Sequence, residues 1–150
     1  MKKILALTLL LAGLARAQNT STPVALVQEI YRAARAGDAV LDILRRHGDA
    51  QLQRALDINN RVSDEGFVCL DYDPLWDSQD PQIGAKVQVK PLKKGWVRAS
   101  FRQYKKRVQV DFLVHCSGGI CQLGDIKNGG QSVKALLQAC ANPPPPEPVR

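Results

Sequence analysis

The sequence predicts an α+β domain, with N-terminal helices packed on one face of an antiparallel sheet of about four strands and a short C-terminal helix after it. Three observations carry this. Before position 82 apolar residues recur three or four apart, and beyond it they alternate with polar ones. Between the two regimes lies Leu70-Asp71-Tyr72-Asp73-Pro74-Leu75-Trp76-Asp77-Ser78-Gln79-Asp80-Pro81, whose aspartates and prolines read as a turn-forming connection. Four cysteines then follow an export-type leader, and an even count in an exported chain suggests disulfides.

The leader is read at residues 1–17. Lys2 and Lys3 supply its charge, and Ile4 to Leu14 is an apolar run of eleven residues, too short to span a bilayer. Ala15 and Ala17 flank Arg16 at the positions a signal peptidase reads, so cleavage is expected before Gln18. This leaves one domain over 18–141 and a proline-rich tail over 142–150, expected to be extended and disordered. No later segment reads as a transmembrane span. Without Lys2, Lys3 and Arg16, eighteen cations face fourteen acids, a net +4 against +7 for the whole chain. That charge is no argument for nucleic acid, and export makes such a partner less expected still.

The first helix starts at Thr22-Pro23, a hydroxyl cap followed by a proline whose missing N–H is harmless there. Val24, Val27, Ile30, Tyr31 and Ala34 form its apolar face, and Gly37 ends it. Asp38 is the expected cap of a second helix, with Val40, Leu41 and Leu44 inward. Its basic end, Arg45-Arg46-His47, suits the helix dipole. Asp49 caps a third, whose inner stripe is Leu52, Ala55, Leu56, Asn59 and Val62.

After Pro81, Ala85, Val87 and Val89 alternate with Lys86, Gln88 and Lys90. Val97, Ala99 and Phe101 alternate with Arg98, Ser100 and Arg102. Val108, Val110, Phe112, Val114 and Cys116 form a third row, Ser117-Gly118-Gly119 a hairpin turn, and Ile120 to Ile126 a fourth strand. Ser132 caps the last helix, with Val133, Leu136, Leu137 and Cys140 on one side.

Four cysteines allow three connectivities. Cys116 and Cys121 flank a hairpin connection and can face each other within disulfide reach. Cys69 and Cys140 would then pair, and this arrangement is preferred to the other two. A zinc site is not favoured, because Cys116-x4-Cys121 lacks the tight C-x2-C spacing.

Leu70-Asp71-Tyr72-Asp73-Pro74 followed by Gln79-Asp80 resembles the central signature of domain-of-unknown-function family 3828. Val27 to Tyr31, Gln51 to Asn60, and Leu123-Gly124-Asp125-Ile126 with Gly130, Ser132 and Val133 are similar to its flanking segments. The likeness covers nearly the whole mature chain. It implies an exported bacterial protein with a cone-shaped fold of the nuclear-transport-factor-two type, a curved sheet wrapped around helices, and no activity to carry over. Cys121 stands where the family usually has tryptophan, and Ser78 where it has alanine or cysteine.

Asp71, Asp73, Asp77 and Asp80 crowd one segment. Hard oxygens at close spacing can bind calcium, but the glycine and terminal glutamate of an EF-hand loop are missing, so turn capping is the expected role. No metal or cofactor is expected. Nothing shows paired carboxylates facing a cleft, and no G-x-S-x-G motif is present. Asp111 and His115 on one strand face would be about 13 Å apart, too far for a dyad, and read as solvated.

Charge is more informative. From Pro81 to Val110 there are nine basic residues and no acid, whereas Asp57 to Asp80 holds seven acids and only Arg61. Lys86, Lys90, Arg98 and Arg102 fall on the polar rows of adjacent strands and predict a basic stripe, with Trp96 nearby. The stripe suits an acidic protein, a cell-envelope polymer or a lipid headgroup; its bland rival is edge protection. The reading is an exported envelope domain, periplasmic or extracellular, that binds a partner or ligand without catalysing a reaction, an inhibitor- or immunity-like role included. The alternatives are a small enzyme with an acid–base site inside the cone and a wall- or membrane-associated structural protein.

Overall fold

The computed structural model describes residues 22–142; the expected leader and the tail beyond Asn142 lie outside them. The elements run α1 (Pro23–Ala36), α2 (Val40–His47), α3 (Ala50–Asp64), β1 (Gln88–Pro91), β2 (Trp96–Gln103), β3 (Lys106–Ser117), β4 (Ile120–Asn128), β5 (Gln131–Ser132) and α4 (Val133–Ala139). The sheet is wholly antiparallel in the order β1-β2-β3-β4-β5. It has five strands rather than about four, because the Gly129-Gly130 turn folds Gln131 and Ser132 back onto β4.

Local signals set the helix ends. Thr22 Oγ1 accepts from the Ala25 N–H at 3.1 Å, and Gly37 closes α1 at φ 93°, where a side chain would be strained. Asp49 accepts from the Gln51 and Leu52 N–H groups at the start of α3. Asp38 does not cap α2. Ala39 holds that position without a side-chain bond, and Asp38 pairs with Arg46 at 2.9 Å instead. The α3 stripe is as expected, Leu52, Ala55, Leu56, Asn59 and Val62 all being buried. In α1 and α2 the buried set is wider: Leu26 and Ile43 are fully buried, while Val40 and Leu41 are only half-buried. α1 packs on the sheet and α3 on α4, while α2 touches α1, α3 and β4 and so has neighbours on more than one side.

The first strand begins later than the alternation predicts. The Ala85 carbonyl is taken by Arg35 of α1 at 2.8 Å, and the Ala85 N–H by Gln82, so Ala85, Lys86 and Val87 precede the ladder. Val97, Ala99, Phe101, Val110, Phe112, Val114, Leu123 and Ile126 turn to the helices. Along β4 the pairing skips Gly124: Leu113 faces Asp125 while Val114 faces Leu123. This bulge reverses the alternation, so Ile126 points inward and Lys127 outward. A Cβ at Gly124 would lie 2.6 Å from Nε2 of His115, so a side chain there would have to push that imidazole aside. His115 lies over the bulge and remains exposed, as expected.

All four cysteines are paired, Cys69 with Cys140 and Cys116 with Cys121, the preferred connectivity. Two disulfides fit an oxidising, exported setting. Among the described residues no helix is long and apolar enough to cross a membrane.

His47 departs from its expected role. Burial, then the adjacent Arg46, lowers its pKa, and its Nε2 is buried without a partner. The imidazole is therefore a poor dipole cation. The native chain takes up this proton less readily than the unfolded chain. The stability His47 confers is whole above the ordinary histidine pKa and is lost as pH falls through the lowered one. The urea midpoint should fall between pH 7 and pH 5, and His47→Gln should lose less over that interval. Equal losses in the two proteins would contradict this.

Candidate functional site

The connection that separates the two halves is an internal plug. Asp73 and Ser78 bridge each other, Asp73 N–H to Ser78 O at 2.8 Å, with Pro74 to Asp77 forming the loop between them. Asp77 closes it at φ 50°, which aspartate tolerates better than most residues. Leu75 and Trp76 are thereby driven into the core, and both are fully buried. Trp76 meets Tyr31 at 5.0 Å and Phe101 at 5.2 Å, edge-on, and Tyr31 meets Phe112 at 5.8 Å. These rings fill the space between helices and sheet.

The motif residues serve that plug. Asp73 accepts from the Leu75 N–H at 2.8 Å; burial raises its pKa, against the pull of the Leu75 and Trp76 N–H groups. Asn128 donates to the Pro74 carbonyl at 3.0 Å, and Tyr72 donates to Asn128. Tyr31 donates to the Leu75 carbonyl at 2.7 Å, and burial, then Asp73, pushes its ionisation well up. Gln79 reaches Asp71, and Asp80 receives the Tyr104 hydroxyl. Asp71, Asp73, Asp77 and Asp80 thus have separate duties, and among the described residues no three potential ligands converge as a metal site. Asp125 is likewise architectural: it accepts from Ser132 at 2.6 Å and from the Lys134 N–H at 3.0 Å, fixing the start of α4.

The opposite face of the sheet is polar and ordered in rows by the strand register. One row is Lys90, Arg98, Asp111 and Lys127, each opposite the next. The next is Gln88, Ser100 and Gln109, and beyond it Arg102 faces Arg107. Arg98 and Asp111 form a two-pronged ion pair at 2.7 and 2.8 Å, and that hydrogen bonding pushes the already high Arg98 pKa further up. Asp111 is therefore engaged rather than solvated. Lys127 lies over the Trp96 ring, 4.6 Å from its centre. Arg102 donates to the Lys105 carbonyl at 2.8 Å.

Two hollows open on this side. One, of about 600 Å³, is lined by Asp77, Arg98, Arg107, Asp111, Lys127 and the Gly129-Gly130 turn. The other, of about 590 Å³, is lined by Lys86, Gln88, Ser100, Phe101, Arg102 and Arg107. Arg107 belongs to both.

The structure thus brings together Lys90, Arg98 and Arg102 on one face. Lys86 is off the strand but lines the same hollow as Arg102, and Trp96 is half-buried beneath Lys127. Sequence reasoning did not place Arg107 and Lys127 there. The first needed the β2–β3 register, the second the bulge at Gly124.

No protein-family model matches the chain, and no curated protein is similar to it. Among solved structures, a protein of unknown function from Bacteroides thetaiotaomicron VPI-5482 is similar at a TM-score of 0.51 and 17% identity, over 70% of this chain and 88% of that one. At that identity the likeness concerns the fold, an α+β arrangement of helices on an antiparallel sheet.

Proposed function

We propose that this chain is an exported, non-catalytic envelope domain, periplasmic or extracellular, that binds an anionic envelope polymer through the outer face of its sheet. The carrying observation is Arg102 placed directly opposite Arg107. Like charges at directly opposed positions destabilise a sheet, and a bound anion would offset that repulsion. The three rows hold five cations, Lys90, Arg98, Arg102, Arg107 and Lys127, and one carboxylate, Asp111. Asp125, opposite Leu113 on the same side, is buried and taken up by Ser132 and the Lys134 N–H. Membership of domain-of-unknown-function family 3828, with its cone-shaped fold, belongs to the same reading and rests on the central motif. The enzymatic alternative has less support. The Tyr31 hydroxyl and the Asp73 carboxylate are both committed to the plug loop.

The test is retention of the mature chain on isolated cell-wall polymer at low and high salt. Charges more than about 10 Å apart are screened at 0.1 M salt, so binding by a dispersed cationic face must weaken steeply as salt rises. Retention at low salt and release at high salt are expected. A Lys86→Glu, Lys90→Glu double variant, altered only at exposed positions, should elute at lower salt. Failure to bind at low salt, or binding indifferent to salt, would overturn the proposal.

A further inference from the structure

We infer that the occupant of this face is an acidic polysaccharide strand lying across the β-strands. The inference rests on the anion-binding reading above and names its ligand class. Gln88, Ser100 and Gln109 form an uncharged hydrogen-bonding row between two cationic ones. Arg98 and Arg102 are four residues apart on one strand, so the cationic rows are separated by about 13 Å, with the amides and hydroxyl midway. A polymer that carries both carboxylates and hydroxyls can use all three rows at once. Amides and a hydroxyl can donate to and accept from sugar hydroxyls, which cations alone cannot.

Other anions match the surface less well. A bare polyphosphate has no hydroxyls for the middle row. A bilayer or an acidic protein would call for exposed apolar anchors on the same face. Among the described residues the exposed large apolar side chains are Phe67, Val68, Ile83, Leu92, Tyr104, Ile120 and Leu136, and none of them belongs to these rows. Ile120, opposite Ser117, is on the same side of the sheet but about 20 Å along β3 from Asp111. The cations also border two adjoining hollows that share Arg107, which suits an extended chain passing from one to the other.

The experiment measures the affinity of the mature chain, at one low salt concentration, for polygalacturonate, polyphosphate, polyacrylate and phosphatidylglycerol vesicles. The same set is measured with a Gln88→Ala, Ser100→Ala, Gln109→Ala variant whose melting temperature is checked. Polygalacturonate should bind roughly ten-fold tighter than polyphosphate or polyacrylate, the scale of one or two good hydrogen bonds. In the triple variant its affinity should drop to the level of the other two. Equal affinity for all three polymers, or a preference unchanged in the variant, overturns the glycan assignment while leaving anion binding standing. Tighter binding to the vesicles overturns it in favour of a membrane surface. Binding to none of them overturns both readings.

Discussion

Replacing Trp76 with alanine is expected to destabilise the chain by about 3–5 kcal/mol. A domain of this size is stable by only about 5–15 kcal/mol, so the variant should unfold at far lower urea or not fold at all. The reason is position as well as size. Trp76 is the largest of the fully buried side chains and touches Tyr31 and Phe101 across the helix–sheet gap. Its loop is tied by hydrogen bonds from Asn128 and Tyr31, so the neighbours cannot easily collapse into the cavity. Trp76→Phe keeps a ring there and should lose much less. If Trp76→Ala is within about 1 kcal/mol of wild type in stability, no more than an average point substitution costs, the plug account is wrong.

Opening the Cys69–Cys140 disulfide is the second large effect. Its cysteines are 71 residues apart, and a crosslink over that distance restricts the unfolded chain by about 4 kcal/mol. The Cys116–Cys121 bridge spans only 5 residues and restricts it by about 2 kcal/mol on the same reasoning. It joins residues the hairpin already holds opposite each other. The first bridge ties the start of the plug segment to the end of α4. A Cys69→Ala, Cys140→Ala variant should therefore lose roughly twice what a Cys116→Ala, Cys121→Ala variant loses in urea unfolding. The reverse order would mean that the hairpin bridge carries native-state interactions beyond loop closure.

Much of the fold was legible because local rules agreed with tertiary ones. The α3 stripe, the caps at Thr22, Asp49 and Ser132, and the inward residues Val97, Ala99 and Phe101 of β2 and Val110, Phe112 and Val114 of β3 follow from period and capping alone. Val108, by contrast, is only half-buried, and Cys116, the expected end of that row, is exposed beside the hairpin turn. Trp76 was not legible as core. Aspartates and prolines surround it, and a turn-rich composition says nothing about which loop side chains a bridge such as Asp73 to Ser78 turns inward. The late start of β1 was hidden for a similar reason, since it depends on Arg35 reaching Ala85 across 50 residues. The basic face was visible as a list of residues but not as rows. Arg102 against Arg107 requires register, and Lys127 reaches the face through a one-residue bulge that strict alternation would place wrongly.

The division of the sheet into a packed inner face and an anion-binding outer face is tested most directly by Arg107→Glu, with melting and polymer binding measured on the same preparation. The substitution places opposite charges face to face where two cations now stand. The melting temperature should rise by roughly 1–4 °C, the scale of one cross-strand charge pair, while affinity for an acidic polymer falls at least about ten-fold. A variant that melts lower than wild type, or binds the polymer as tightly, would contradict the account.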